Sequence, residues 1–137
     1  MANYTILNTA STKHSTEKTL VANIDGQQVD TLEKFYQELI VQLKLADDFG
    51  RNLDAFDEII NDLDWLDEST ICLVFKNYDD FLSEENDEAR EIILTILDDA
   101  AAEWKRDEDT KKLRMYIEPS ELAEDDLETI GLDYKTE

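Results

Sequence analysis

The stretch Thr70-Ile71-Cys72-Leu73-Val74-Phe75 decides the fold of this chain. Ile71 to Phe75 is the longest uninterrupted apolar run in the sequence. The run is too short for a helix. Its lack of polar alternation suits a strand covered on both faces, as strands of parallel sheets are. Upstream, Thr19 to Ile24 reads as a second strand and leads into an Asp25-Gly26 turn signal. Downstream, Leu113 to Ile117 reads as a third strand, closed by Pro119, the one proline in the chain.

Helical spacing fills the intervals. Asp30 and Glu33 form a capping-box-like start for a helix carrying Leu32, Phe35, Tyr36, Leu39, Ile40 and Leu43, with an expected end near Lys44. Gly50 interrupts the chain, and Asn52 is suited to cap a second helix buried through Leu53, Phe56, Ile59, Ile60 and Leu63. Tyr78 to Leu82 allows one helical turn. Asn86 then opens the longest helix, with Ala89, Ile92, Ile93, Ile96, Leu97 and Ala100 expected to face inward.

Strand, helix pair, strand, helix, strand is an order that gives parallel pairing. The expected architecture is therefore α/β: a compact single domain over residues 19–118, with a three-stranded parallel sheet packed with helices. Residues 1–18 read as an N-terminal extension in which Tyr4, Ile6 and Leu7 could dock locally. Residues 119–137 read as an acidic C-terminal extension, with a short helix ending near Gly131.

Charge governs the functional reading. The 137 residues hold 35 acids against 13 lysines and arginines, for a net charge of −22. Leu, Ile, Val and Phe still make up about 27% of the chain, enough to build a core. A field of this sign repels nucleic-acid phosphates and anionic lipid, and it attracts cationic partners. The sequence therefore predicts neither direct nucleic-acid binding nor membrane association. No apolar run is long enough to span a bilayer, and residues 1 to 18 lack the apolar centre of a secretory signal. A lone cysteine, Cys72, placed in an apolar run, fits a reducing cytoplasm and a packing role. His14, the single histidine, lies in a Ser/Thr-rich stretch, so no Cys/His metal cluster can form. No metal, cofactor or catalytic residue is expected.

Basic residues gather once, at Lys105, Arg106, Lys111, Lys112 and Arg114. They read as cations at the end of the long helix that complement its dipole and balance nearby acids. Trp65 and Trp104 read as core or rim packing.

The acids concentrate between Asp47 and Glu68, where nine stand against a single base, Arg51. Asp54 and Glu58 are four apart and share a helix face, with Asp57 beside them. Such a face is either simply solvated or holds its charges for a cationic ligand. A carboxylate pair could also act as general acid and base. Carboxylates can also bind calcium, but the helical Asp54-x-x-Asp57-Glu58 spacing lacks the looped, glycine-containing arrangement of an EF-hand.

Phe49-Gly50-Arg51-Asn52-Leu53-Asp54-Ala55-Phe56 resembles the aromatic-Gly-x-Asn-Leu-Asp-Ala-hydrophobic run that leads into the second helix of the barstar family. The element order on either side agrees with that family over about 100 residues. The resemblance implies a small three-stranded parallel α/β fold and a bacterial inhibitor, or immunity protein, of a ribonuclease. By the same resemblance, Asp54 and Glu58 contact the enzyme, and Asp98 of the long helix is a supporting acid. Gly50 and Asn52 shape the contact loop, and Asp57 is an added contact. Such an inhibitor occludes a cationic active site by placing carboxylates where RNA phosphates would lie, with no chemistry of its own.

Departures from the family pattern bear on the partner. Asp48 and Asp57 stand where the family offers aromatic side chains, and Glu58 is one methylene longer than the aspartate it replaces. Two alternatives follow. One is an acidic binding module with a non-nuclease basic partner; the other is a small hydrolase using Asp54 and Glu58.

Overall fold

A computed structural model of the protein describes residues 4–6, 19–45, 49–63, 65–105 and 112–136. Strand β1 spans Tyr4–Ile6 and β2 Thr19–Asp25; helices α1 (Leu32–Gln42) and α2 (Leu53–Ile60) follow. Strand β3 (Thr70–Lys76) leads through a 3-10 turn, Tyr78–Asp80, into helix α3 (Asp87–Lys105). Strand β4 (Lys112–Ile117), helix α4 (Glu121–Thr129) and strand β5 (Tyr134–Thr136) complete the described chain.

All strand pairings are parallel, in the order β2-β3-β4-β1-β5. The α/β class is as expected, but the sheet has five strands among the described residues, not three. The two additional strands are three residues each, too short for a period of two to show in sequence. Neither is stable alone. Each exists because β4 offers an edge to β1, and β1 in turn offers one to β5.

The pairing register aligns Ala22, Leu73, Met115 and Tyr4 in one row and Ile24, Phe75, Ile117 and Ile6 in the next. These residues share the sheet face that carries the core, together with Phe35 and Leu39 of α1, Phe56 and Ile60 of α2, and Ile93 and Leu97 of α3. On the other face Cys72 and Val74 are also buried, so β3 is covered on both sides from Ile71 to Phe75. Burial raises the Cys72 thiol pKa, against an opposing pull from Arg114.

Gly26 fixes the first crossover. A Cβ there would lie 2.0 Å from the Asn77 carbonyl oxygen, so only glycine lets the turn after β2 pack against the turn after β3. Helix α1 is capped by Thr31, whose side chain accepts from the Lys34 amide at 3.2 Å, and not by the expected Asp30. Asp30 instead pairs with the Lys34 ammonium at 3.0 Å.

Helix α3 also rotates relative to expectation. Ala89, Ile93, Leu97 and Ala100 are buried along with Leu94, Ala101 and Trp104, but Ile92 is 40% exposed and Ile96 is only half-buried. An all-apolar flank at 92, 93, 96 and 97 cannot be resolved into inner and outer sides by sequence alone.

Two buried polar contacts pin the elements added around the strands of the central sheet. The Tyr4 hydroxyl in β1 donates to the Leu94 carbonyl of α3. Arg90 of α3 reaches Asp126 of α4 through Nε to Oδ2 at 2.8 Å, and the Tyr78 hydroxyl donates to the same oxygen at 2.7 Å. Arg90 and Asp126 are each 5% exposed. Helix α4 ends with Gly131 at φ +75, where the Gly131 and Leu132 amides donate to Glu128 and Leu127, closing the last turn.

Candidate functional site: an acidic helix at the α1–α2 surface

The Asn52 side chain accepts from the Ala55 amide at 2.8 Å, capping α2. Its own Nδ2 donates to the Gly50 carbonyl at 3.2 Å, which closes the preceding loop on the cap. Gly50 is exposed and lacks a positive φ. A Cβ there would come within 3.2 Å of the Ala55 Cβ and 3.3 Å of the Asn52 Nδ2, so a side chain would press on the cap. The strained backbone falls on the next residue instead, Arg51, at φ +52.

Arg51 is held from α1. Its Nη1 lies 3.3 Å from Glu33 Oε1. With the Gln37 amide oriented to present its oxygen, that oxygen accepts from Arg51 Nη1 and Nη2 at 2.8 and 3.2 Å. Glu33 and Gln37 are four apart on α1, so they form one ledge for the guanidinium. That clamp was not foreseen; an acid and an amide at helical spacing do not reveal which distant cation they hold.

Below the surface, Phe56 and Ile60 are fully buried, and Phe56 meets Phe35 of α1 edge-on, with ring centroids 5.4 Å apart. These anchors turn Asp54, Asp57 and Glu58 outward, and all three are exposed. Asp54 lies in the first turn, where the helix dipole favours a carboxylate. Asp57 accepts from Asn61 Nδ2 at 3.1 Å, tying its carboxylate to the helix end. Among the described residues no lysine or arginine forms an ion pair with Asp54, Asp57 or Glu58.

The expected site residues therefore divide. Gly50, Asn52, Asp54, Asp57 and Glu58 lie on one continuous capped segment. Asp98 lies on α3, half-buried, near Tyr4 of β1. The Tyr4 hydroxyl pKa is well above its ordinary value, chiefly through burial and then through the nearby charge of Asp98. Asp48, His14, Arg106 and Lys111 lie outside the described residues.

At the far end of α2, Trp65 is 41% exposed and its indole N–H donates to the Leu43 carbonyl at 2.8 Å. It packs at the rim with a fixed ring, whereas Trp104 is buried.

Chemically, this surface can hold cations. Its carboxylates project outward from a helix whose buried side is fixed by Phe56 and Ile60. Among the described residues no cluster of His, Cys, Asp and Glu has the geometry to hold a metal ion. No helix among them is long and apolar enough to cross a membrane.

The fold and this surface define a class: small parallel α/β proteins that present acids from a capped helix. Residues 19–118 match the family model described as Barstar (barnase inhibitor), and the chain belongs to that family. It is thus a member of a family of inhibitors rather than of enzymes. No match to the chain was found among curated proteins.

Proposed function

We propose that this protein is an inhibitor or immunity protein that acts in the cytoplasm and occludes the cationic active site of a ribonuclease with the exposed face of α2. Asp54 and Glu58 take the positions of RNA phosphates, Asp57 adds a neighbouring charge, and Gly50 and Asn52 shape the loop against the enzyme. Asp98 contributes from α3 at the margin. One observation carries this reading: in a Barstar-family chain, three exposed carboxylates stand without a cationic partner among the described residues on a helix anchored by buried Phe56 and Ile60. Complementary charge of this kind speeds association and makes it salt-sensitive.

The test is titration against a panel of small basic ribonucleases, with RNA hydrolysis as the readout. Saturable inhibition that weakens with salt is expected, and Asp54→Lys combined with Glu58→Lys should abolish it while circular dichroism stays unchanged. Undiminished inhibition by that variant would remove α2 as the site.

A second reading rests on Asp57, which by the family resemblance stands where an aromatic lies beside the central acid. An interface short of aromatic anchors suits a basic partner that is not a nuclease. Failure of every ribonuclease, with retained salt-sensitive binding to another basic protein through Asp54 and Glu58, would favour it.

A further inference from the structure

A second surface lies on α3, lined by no residue of α2 or its capped loop. Ile92, at 40% exposure, and Ile96 line an open groove together with Ile130 at the end of α4. Glu88, Glu91 and Thr95 complete the lining, around a volume of about 450 Å³. From Glu88 to Ile96 the strip covers nine residues, or about 12 Å of helix. Its lining includes two acids and no base.

The groove is preformed. Its two walls, α3 and α4, are locked by the buried Arg90–Asp126 ion pair, and the turn at Gly131 fixes the position of Ile130. Ile92, Ile96 and Ile130 leave an apolar strip edged by Glu88 and Glu91, which suits the apolar face of a docking helix flanked by cations. The occupant should present apolar residues at helical spacing and flank them with lysine or arginine.

A second copy of this chain does not meet that description. Paired groove to groove, it would bring Glu88 and Glu91 of one protomer against those of another, between bodies of charge −22 each. We propose that the α3–α4 groove docks a cationic amphipathic helix of a partner protein. This interaction is independent of the α2 face.

The experiment uses the full chain, labelled with nitrogen-15, and a synthetic 14-residue helical peptide of leucine and lysine. Saturable amide shifts concentrated on residues 88–96 and 129–132 are expected. Ile92→Asp, at an exposed position, should weaken binding at least tenfold. Glu88→Gln with Glu91→Gln should weaken it several-fold and flatten its salt dependence. Asp54→Lys with Glu58→Lys should leave it unchanged. Shifts centred on α2, or equal affinity for wild type and Ile92→Asp, would overturn the proposal. So would a dimer in sedimentation that Ile92→Asp dissolves, because that would assign the groove to a second copy. Should Ile92→Asp lose its fold, the wild-type shift map and Ile92→Ser decide. No ribonuclease enters this test, so its failure is separate from failure of the inhibitor reading.

Discussion

Two regions of this molecule treat negative charge in opposite ways. At the α3–α4 junction Asp126 is buried and accepts from Arg90 and Tyr78, and Arg90 also reaches Asp87 at 2.8 Å. On α2 the carboxylates of Asp54, Asp57 and Glu58 are exposed and form no ion pair with a lysine or arginine among the described residues. The buried acid serves the fold, because removing its partners would strand a charge in low dielectric. The exposed acids add little to the fold beyond the favourable first-turn position of Asp54 and the Asn61 contact of Asp57, and they repel one another slightly, which leaves their charge available to a partner. A chain with 35 acids is therefore not uniformly acidic in function.

The largest break in this contrast should come from Asp126→Ala. It leaves Arg90 buried beside only the exposed Asp87 and leaves the Tyr78 hydroxyl without its acceptor. A loss of about 3–5 kcal/mol is expected in urea titration, as for other broken buried pairs. A loss below 1 kcal/mol would show that α4 is not held by this contact.

Alkaline pH probes the same junction. Burial, and then the Asp126 charge, raise the Tyr78 hydroxyl far above its ordinary value, and Tyr4 is raised as well. The folded state keeps these protons while the unfolded chain releases them near the ordinary tyrosine value of 10.0. Stability is therefore complete below about pH 10 and falls as pH rises beyond it, by roughly 1.4 kcal/mol per pH unit for each such tyrosine. Chemical denaturation between pH 9 and 11 should show this fall, and Tyr78→Phe should make it shallower. An identical slope in that variant would sink the assignment.

On the α2 side the effects shrink. Asn52→Ala removes the side chain that accepts from Ala55, and about 1 kcal/mol of stability should go with it. Glu58→Gln relieves its repulsion with Asp54 and should raise stability by only about 0.2–0.5 kcal/mol, while weakening capture of a basic partner. A stabilised variant with undiminished binding would erase the distinction between the two regions.

Much of the architecture was legible because its signals are local. The run from Ile71 to Phe75, the Asp25-Gly26 turn and the Asn52 cap each depend on residues within a few positions of one another. The candidate site was legible to the same depth, since Gly50 to Glu58 is one continuous segment. Its depth was not. Arg51 is clamped by Glu33 and Gln37 across 18 and 14 positions, and Trp65 bonds to the Leu43 carbonyl 22 residues away. Asp98 could be named as an acid of the long helix, but only packing shows it beside Tyr4.

Sequence by itself determined the α/β class, the order of the central elements and the outward acids of α2, because periodicity and capping are written in neighbouring residues. Tertiary structure alone decided that Tyr4–Ile6 and Tyr134–Thr136 extend the sheet, that Asp126 belongs to Arg90, and that Ile92 stays open to solvent. Each depends on which distant surface arrives to cover a group, and a short or ambiguous segment takes its structure from that neighbour.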